Sequence, residues 1–349
     1  MKILIVAPSW IGDTLLAQPL FARLHQKYPG LVLEVLAPAW TAPLLGRMAE
    51  VQAVHHNPFA HGEFNLAARW RLGRALRHEQ YDEVIVLPNS WKSALMPFFA
   101  DIPVRTGFVG EARLGLLNRR HTLDAWALPQ LAQRYARLAE LPGQRVEAGL
   151  LSAPRLHSTP EQQQLVRLAL GLPLTAEPAI FCPGAEFGPA KRWPSRHFAA
   201  LARQLAAQGI PVWLLGSDKD AGLAEGIVQR AQGQALNLCG RTTLLQALDL
   251  IAGARLVVSN DSGLMHVAAA LDRPLFALYG SSSPEYTPPL SARARIISLR
   301  VDCSPCFKRT CPLGHFKCME QLEVARVVQA MQEEGVLAAA VGESPRVTD

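Results

Sequence analysis

A repeated alternation of strand-like and helix-like segments constrains the fold of this 349-residue chain more than any other feature. Apolar runs at 2–7 and 83–87 are each followed by a helix-like stretch, and the same alternation resumes at 179. Because parallel strands need a long crossover, usually a helix, this order indicates parallel sheets covered by helices on both faces. The chain is therefore predicted to be an α/β protein with two doubly wound, Rossmann-like domains that face a central cleft.

Residues 142–178, between the two alternating regions, contain several prolines and mark a domain boundary. We expect an N-terminal domain over residues 1–165 and a C-terminal domain over residues 166–349. The last helix-like segment, from Glu320 to Glu333, is expected to pack back on the N-terminal domain. Open α/β sheets bind ligands beyond the carboxyl ends of their strands, so the cleft is the expected site.

The composition is that of a globular protein. With 49% hydrophobic and 18% charged residues, the chain can bury a sizeable core. The apolar run at 3–7 is too short for a signal peptide. No apolar stretch approaches the roughly 20 residues that a membrane helix needs. A soluble, cytoplasmic protein is therefore expected.

The formal net charge of +6 indicates an anionic partner. Arginines are concentrated in two regions, 69–77 and 105–120, which suit phosphates, an acidic sugar or an anionic membrane surface. The alternative is that these arginines lie on solvated helix faces. Nucleic acid is not expected as a partner, because no nucleic-acid-binding module is present and aromatic residues are not interleaved with the basic ones.

The most informative local pattern is an apolar strand, 256–260, that runs directly into Asp261, Ser262 and Gly263 and then a helix. The backbone N–H groups and positive dipole end of such a helix bind phosphate well. Asp261 is expected to cap the helix, and Gly263 lets a ligand approach the backbone closely. His266 shares a helix face with Ser262. The alternative is an ordinary capped helix with a packed histidine.

The first strand ends at a different kind of turn, which contains Trp10, Gly12 and Asp13. It lacks the G-x-G-x-x-G spacing of a dinucleotide loop, which argues against a dehydrogenase. A carboxylate at this helix start is suited to accept a proton from a substrate hydroxyl, as a general base. Helix capping is the alternative role for Asp13.

Two further strand ends in the second half carry charged residues. A glycine-rich turn after 179–183 delivers Lys191 and Arg192, which can neutralise the charge on a departing phosphate. Asp218 follows another strand and suits a ribose diol. The alternatives are a surface pair of cations and an ordinary turn aspartate.

The six cysteines divide into two groups. Cys182 and Cys239 lie in or next to strand-like runs and are expected to be buried. The other four form a C-x2-C-x4-C-x6-C cluster, made of Cys303, Cys306, Cys311 and Cys318. These thiols are candidate zinc ligands, although their spacing matches no common zinc or iron–sulfur site. Reduced thiols are the alternative, and we expect neither a metal nor a cofactor.

Taken together, these motifs resemble those of the ADP-heptose:lipopolysaccharide heptosyltransferases of glycosyltransferase family 9. The resemblance extends over nearly the full length and is carried by Ser9–Asp13, Pro183–Pro194, Asn260–His266 and Cys303–Cys318. It implies a GT-B fold and an inverting transfer of heptose from ADP-heptose. The implied acceptor is heptosyl-Kdo2-lipid A, so the N-terminal domain would bind the acceptor and the C-terminal domain the ADP-sugar.

The resemblance also implies roles for single residues. Asp13 would be the general base, with Trp10 and Gly12 beside it on the acceptor side. Lys191 would pair with the donor diphosphate, and Arg192 would assist. The remaining donor-side residues implied are Asp218 at the ribose and, along the ADP-binding edge, Asp261, Ser262, Gly263 and His266.

The assembly and location follow as further expectations. We expect a monomer that contacts the anionic inner face of the inner membrane peripherally, where its lipid-linked acceptor resides. One alternative is a related GT-B transferase that uses an acceptor without heptose or another nucleotide-sugar. A more remote alternative is an ADP-sugar-binding protein without catalysis.

Overall fold

The computed structural model describes residues 1–60, 63–144 and 151–337. Within these ranges the chain forms two six-stranded sheets, and every strand pair in both sheets is parallel. The predicted α/β class and its division into two doubly wound domains are confirmed.

The N-terminal sheet has the strand order β3-β2-β1-β4-β5-β6. Its strands are β1 (Lys2–Val6), β2 (Val32–Ala37), β3 (Ala53–His56), β4 (Glu83–Val86), β5 (Val104–Phe108) and β6 (Arg119–His121). The helices of this half are α1 (Ile11–Leu16), α2 (Gln18–Lys27), α3 (Ala42–Leu45), α4 (Leu66–Leu76), α5 (Trp91–Phe99) and α6 (Leu131–Arg137).

The C-terminal sheet has the order β12-β11-β10-β7-β8-β9. Its strands are β7 (Ala179–Cys182), β8 (Val212–Leu214), β9 (Leu236–Asn237), β10 (Leu256–Asn260), β11 (Leu275–Tyr279) and β12 (Ala294–Ser298). The accompanying helices are α7 (Pro160–Leu170), α8 (Ser195–Ala206), α9 (Ala221–Arg230), α10 (Leu244–Ala252), α11 (Gly263–Ala270), α12 (Lys317–Glu320) and α13 (Val324–Glu333).

The two sheets have the same topology, because both read 3-2-1-4-5-6 when numbered from their own first strand. The strand order therefore reverses between β1 and β4 in one domain and between β7 and β10 in the other. These switch points are where doubly wound sheets open a crevice for ligands. The central strands are buried on both faces, which explains their nearly continuous apolar sequences.

Several helices are amphipathic, and several carry capping signals. α8 buries Phe198, Leu201 and Leu205 against its sheet and exposes polar residues on the other side. α10 begins with a capping box, in which the Thr243 side chain accepts from the Gln246 N–H at 3.2 Å.

The domain boundary and the last helix differ from the sequence prediction. A boundary between 165 and 166 falls inside α7, and this helix packs against α10 of the C-terminal domain. The whole helix therefore belongs to the C-terminal domain. The terminal helix α13 does not pack back on the N-terminal domain, because its apolar face, including Val327 and Met331, is buried against α8 and β11. Residues 338–349 of the predicted second domain lie outside the described residues.

Other differences concern short elements. The stretch 14–28 is not one helix, since α1 ends at Leu16 and α2 begins at Gln18, with Pro19 in its first turn. β6, α6 and β12 were not predicted. Their sequences are short and lack a long apolar run, so their strand or helix character depends on the neighbours against which they lie.

The two domains share a continuous interior. One cluster of buried hydrophobic residues includes side chains from both sheets. Across the same interface, Arg47 donates to both carboxylate oxygens of Asp249 on α10, at 3.2 and 3.1 Å.

No helix in the part of the chain that the structure describes is both long and apolar enough to cross a membrane.

Candidate functional site

The helices α1 and α11, which follow the switch-point strands β1 and β10, pack against each other. Their contact depends on two glycines. A Cβ atom on Gly12 would lie 2.7 Å from Cδ2 of His266, and a Cβ atom on Gly263 would lie 2.9 Å from Cβ of Ile11. Neither position has room for a larger residue, so the two domains approach each other at backbone distance. The sequence motifs at 10–13 and 261–266 are thereby brought into one site.

Lys191 and Asp261 form an ion pair within this site. Lys191 Nζ donates to Asp261 Oδ2 at 2.6 Å, and the two side chains are 17% and 5% exposed. Lys191 also lies 5.1 Å from the ring centroid of Phe187. The amine therefore has a carboxylate partner and remains partly accessible from the cleft.

Asp13 lies in the same electrostatic environment. Burial raises the pKa of its carboxyl group to about 6, the positive charge of Lys191 opposes this rise, and the negative charge of Asp261 adds to it. Such a carboxylate is largely ionised at neutral pH and yet basic enough to accept a proton. A general base works best with a pKa close to the operating pH.

The start of α11 differs from the expectation in one respect. Ser262, and not Asp261, is the N-cap residue, and its side chain makes no capping hydrogen bond. Asp261 does not cap because its carboxylate is bonded to Lys191. The Ser262 hydroxyl instead lies 3.2 Å from that of Ser259. Since the first N–H groups of a helix have no intrahelical partner, they are suited to receive an anion.

His266 is buried beneath Gly12 and is neutral. Burial is the main cause that lowers its pKa to about 4; the negative charge of Asp261 opposes this, and the positive charge of Lys191 adds a smaller lowering effect. The ring therefore carries no positive charge at neutral pH. It is suited to hydrogen bonding and to packing against α1, but not to neutralising a phosphate.

Arg192 and Asp218 lie on the neighbouring strand ends. Arg192 approaches Asp220, with Nη2 3.8 Å from Oδ1. Asp220 is buried and accepts from both the backbone and the hydroxyl of Ser217. Asp218 is exposed at the edge of the cleft and lies against Gly240. The buried aspartate therefore has a structural role in its own turn, whereas Asp218 remains accessible.

Asn260 was missed as a site residue, although it is fully buried at the end of β10. Its Oδ1 accepts from the backbone N–H of Trp193 at 3.0 Å, and its Nδ2 donates to the carbonyl of Pro183 at 2.7 Å. The side chain thus fixes both ends of the turn that carries Lys191. The available signal was a polar residue at the end of an otherwise apolar strand.

A pair of tyrosines beside Asp13 was also missed. Tyr135 on α6 and Tyr286 after β11 both have pKa values raised mainly by burial, and the charge of Asp13 contributes to each. Leu131 N–H donates to the carbonyl of Tyr286 at 2.9 Å, and the guanidinium of Arg134 lies 4.8 Å from the Tyr286 ring centroid. α6 therefore connects the domains next to the carboxylate.

Two exposed indoles lie at the N-terminal side of the site. Trp10 is 46% exposed, and its carbonyl accepts from the backbone and hydroxyl of Thr14. Trp40 is 51% exposed, and its Nε1 donates to the carbonyl of Ser9 at 2.8 Å. Both rings are available for a ligand that approaches Asp13.

The arginine-rich regions are only partly the basic surface that we expected. Arg69 and Arg113 are buried and donate to backbone carbonyls. Within the described residues, three more have internal partners: Arg77 pairs with Asp101, Arg105 with two carbonyls, and Arg119 with Glu83. A sequence count of arginines cannot distinguish these from solvent-facing ones.

All six cysteines are free thiols. Cys182 and Cys239 are buried, as predicted. Cys303 is exposed, and Cys306, Cys311 and Cys318 are partly buried. Across residues 1–60, 63–144 and 151–337, no three or more histidine, cysteine, aspartate or glutamate side chains are grouped to hold a metal ion.

Comparisons with known proteins identify the family of this chain. The model of glycosyltransferase family 9 (heptosyltransferase) matches residues 69–317. Lipopolysaccharide heptosyltransferase 2 of Salmonella typhimurium is 45% identical over 96% of this chain and 100% of its own length.

Solved structures extend the comparison to the fold. The structure of E. coli ADP-heptose LPS heptosyltransferase II superimposes with a TM-score of 0.81 at 42% identity, over 95% of this chain and all of that one. E. coli heptosyltransferase WaaC with ADP-2-deoxy-2-fluoro heptose gives a TM-score of 0.69 at 25% identity, over 96% and 100% of the two chains. With its two parallel sheets in the GT-B arrangement, this chain belongs to glycosyltransferase family 9 and is a heptosyltransferase.

Proposed function

We propose that this enzyme transfers a heptose, with inversion, from ADP-heptose to the first heptose of heptosyl-Kdo2-lipid A. The observation that carries the proposal is the meeting of α1 and α11, which joins a carboxylate of raised pKa, Asp13, to the Lys191–Asp261 pair. The choice of the second heptose is supported by relatives of the heptosyltransferase 2 type that match the chain over their full length.

The donor diphosphate would bind at the start of α11. The unpaired N–H groups near Ser262 and Gly263, together with the helix dipole, favour a doubly charged phosphate group. Lys191 already points to Asp261 at the same place and would share its charge with the phosphates. Arg192 and Asp218 lie on the adjacent strand ends, and Asp218 is accessible for the ribose. The WaaC complex with an ADP-heptose analogue supports a donor of this class.

The acceptor would enter from the N-terminal side, past Trp10 and Gly12. Asp13 takes the proton of the acceptor hydroxyl while that oxygen attacks C1 of the heptose. The bond from C1 to the phosphate oxygen breaks, and its electron pair leaves with ADP. Lys191 and the helix N-terminus stabilise the charge that develops on this leaving group.

His266 and Asp261 would have supporting roles in this step. A neutral His266 fills the space beneath Gly12 and keeps α1 at the distance that Asp13 needs. Asp261 orients Lys191 and, by its charge, helps keep the pKa of Asp13 high. The base that accepts the proton and the cation that stabilises the leaving group are therefore both tuned by the carboxylate of Asp261.

The enzyme would act as a monomer at the inner face of the inner membrane, since one chain supplies both sides of the site. Its net charge of +6 favours an anionic surface. Within the described residues, Arg71, Arg74 and Arg120 have no acidic partner, and Trp126 is 96% exposed. Binding to vesicles should rise with anionic lipid content and fall with salt; equal binding to neutral vesicles would contradict membrane contact.

A transfer assay with defined acceptors tests the proposed reaction. The protein is incubated with ADP-heptose and either one-heptose or heptose-free Kdo2-lipid A, and products are read by mass spectrometry. We expect one added heptose on the first acceptor only. Transfer to the heptose-free acceptor would assign the enzyme to the first step instead. Tight ADP-heptose binding without turnover on either acceptor would contradict catalysis.

A further inference from the structure

The segment 303–318, here called the cysteine loop, lies against the turn that carries Lys191. The N–H of Ala190 donates to the carbonyl of Arg309 at 3.0 Å. At Gly188 a Cβ atom would overlap that same carbonyl, and the φ angle of +152° also favours glycine. The loop and the lysine turn are therefore in direct backbone contact.

The cysteine loop is also attached to the end of β11. The N–H of Phe307 donates to the carbonyl of Ser281 at 2.7 Å, and the Ser304 hydroxyl donates to the carbonyl of Gly280. Gly280 has no room for a side chain, since a Cβ atom would lie 2.5 Å from Sδ of Met319 and 3.1 Å from Sγ of Cys318. Because β11 pairs with β10, this second attachment lies beside Asp261.

These attachments hold the Arg309 side chain near the proposed phosphate site. Its guanidinium carbon lies 5.3 Å from the ring centroid of Phe187, the ring that Lys191 Nζ approaches at 5.1 Å. Arg309 is exposed and forms no ion pair with any described acidic residue. A guanidinium offers five donors in a planar fork that suits phosphate oxygens.

Buried hydroxyls at the same sheet edge also have no partner. Ser281 and Ser282 follow β11, are 1% and 7% exposed, and make no side-chain hydrogen bond among the described residues. Buried polar groups normally have a partner in the protein, in water or in a ligand. This edge therefore has hydrogen-bonding capacity that the chain itself does not use.

We propose that Arg309 is a donor-binding residue, whose guanidinium contacts the diphosphate of the nucleotide-sugar alongside Lys191. The inference rests on the proposed function for the identity of the ligand. It gives the cysteine loop a role in the reaction, because the loop backbone positions both cations around Phe187. Arg309 thus serves the leaving group, and no residue of the first domain is needed for its contact.

Calorimetric binding of ADP, AMP and adenosine to the full chain tests the proposal. Arg309→Ala should weaken ADP binding about tenfold to a hundredfold, as expected for the loss of a charged hydrogen bond. AMP should be affected less and adenosine not at all. Lys308→Ala removes the same charge from the neighbouring exposed position and should bind ADP like the unaltered protein. Arg309→Lys should recover part of the lost affinity.

Unchanged ADP affinity in Arg309→Ala would overturn the proposal. So would an equal loss for adenosine or an equal loss in Lys308→Ala, because either would indicate a disturbed loop and not a lost phosphate contact. Failure of the proposed function is distinguishable: ADP would then bind and respond to Arg309→Ala, but no heptose would be transferred. Absence of ADP binding to the unaltered protein would contradict both.

Discussion

The two domains have the same strand order but carry different chemistry at their switch points. In the N-terminal domain, β1 is followed by the short connection 7–10 and then α1, which presents Asp13. In the C-terminal domain, β7 is followed by the longer connection 183–194, which carries Lys191. A short turn fixes a carboxylate on a helix, whereas a long turn places a cation that needs further support.

The need for support explains why the switch point of the C-terminal domain is built from more residues. Asn260 fixes both ends of the lysine turn, Asp261 binds the amine, and the cysteine loop lies behind it. At the switch point of the N-terminal domain, the tight contact of Gly12 with His266 holds α1 in place. Identical topology therefore gives no information about which domain supplies the base and which the leaving-group cation. The connections after the strands decide this.

Replacing Asp13 should have the largest effect on turnover, because it removes the proposed general base. The C-terminal switch point stays unchanged. Asp13→Ala and Asp13→Asn should lower kcat by about 10²–10⁴-fold while ADP affinity survives. Well above pH 6, Asp13→Asn should also raise the free energy of unfolding by about 3 kcal/mol, since it removes a buried charge. Steady-state kinetics and thermal unfolding measure the two effects; near-normal turnover would remove Asp13 from the mechanism.

Replacing Lys191 changes the C-terminal switch point and should affect both donor binding and the rate of transfer. Lys191→Ala is expected to weaken ADP-heptose binding and slow transfer, together by about 10²-fold. Lys191→Ala also leaves the buried Asp261 carboxylate without its partner. The double variant Lys191→Ala, Asp261→Asn removes that unpaired charge as well, so comparing the two variants isolates the effect of losing the cation. Lys219→Ala is a matched control, because Lys219 is exposed and pairs with Glu186 at the surface. Equal effects of the two lysines would contradict the assignment.

Enlarging Gly12 tests whether α1 and α11 must be in close contact for catalysis. In Gly12→Ala the new methyl group would lie 2.7 Å from the His266 ring, so α1 has to move away from α11. We expect kcat/KM to fall about tenfold to a hundredfold, because small displacements of reacting groups are costly. Gly222→Ala, on an open helix surface, serves as the control. If Gly12→Ala retains full activity, close contact of the helices is not required.

The pH dependence of kcat/KM should show the smallest effect near neutrality. It distinguishes Asp13 of the N-terminal domain from His266 of the C-terminal domain. Because the pKa of Asp13 is raised to about 6, kcat/KM should fall about tenfold per pH unit below 6 and stay level from 7 to 8. His266, with a pKa of about 4, should not contribute in this range. The acid limb should be absent from the residual activity of Asp13→Asn. A persisting limb near pH 6 would assign it to another group.

Much of the fold was predictable from local patterns. The buried strands β1, β4, β7 and β10 are read directly from their apolar runs, and the switch points follow from their order. β6, α6 and β12 were not predictable, since short segments without a long apolar run take their conformation from neighbours. The expected division at 165 falls inside α7, because this helix begins at Pro160, within the proline-containing stretch, and packs onto α10.

The candidate site was predictable as a set of motifs and not as an arrangement. The sequence indicates that Asp13, Lys191 and Asp261 each follow a strand. It does not indicate that Asp261 binds Lys191 instead of capping α11, because the two residues are 70 positions apart. Likewise, it cannot reveal that Arg69 and Arg113 are buried, since burial depends on what lies above them.

By itself, the sequence determined the α/β class, the two doubly wound domains, the family motifs and the strand ends that carry charge. Those features depend on local periodicity and on residue types at turns, which short stretches of chain contain completely. Only the tertiary structure decided that Asp13, Lys191 and His266 share one environment, and only there do the pKa values of Asp13 and His266 move in opposite directions. Burial and the fields of distant charges cause those shifts, and both exist only once the two domains have packed together.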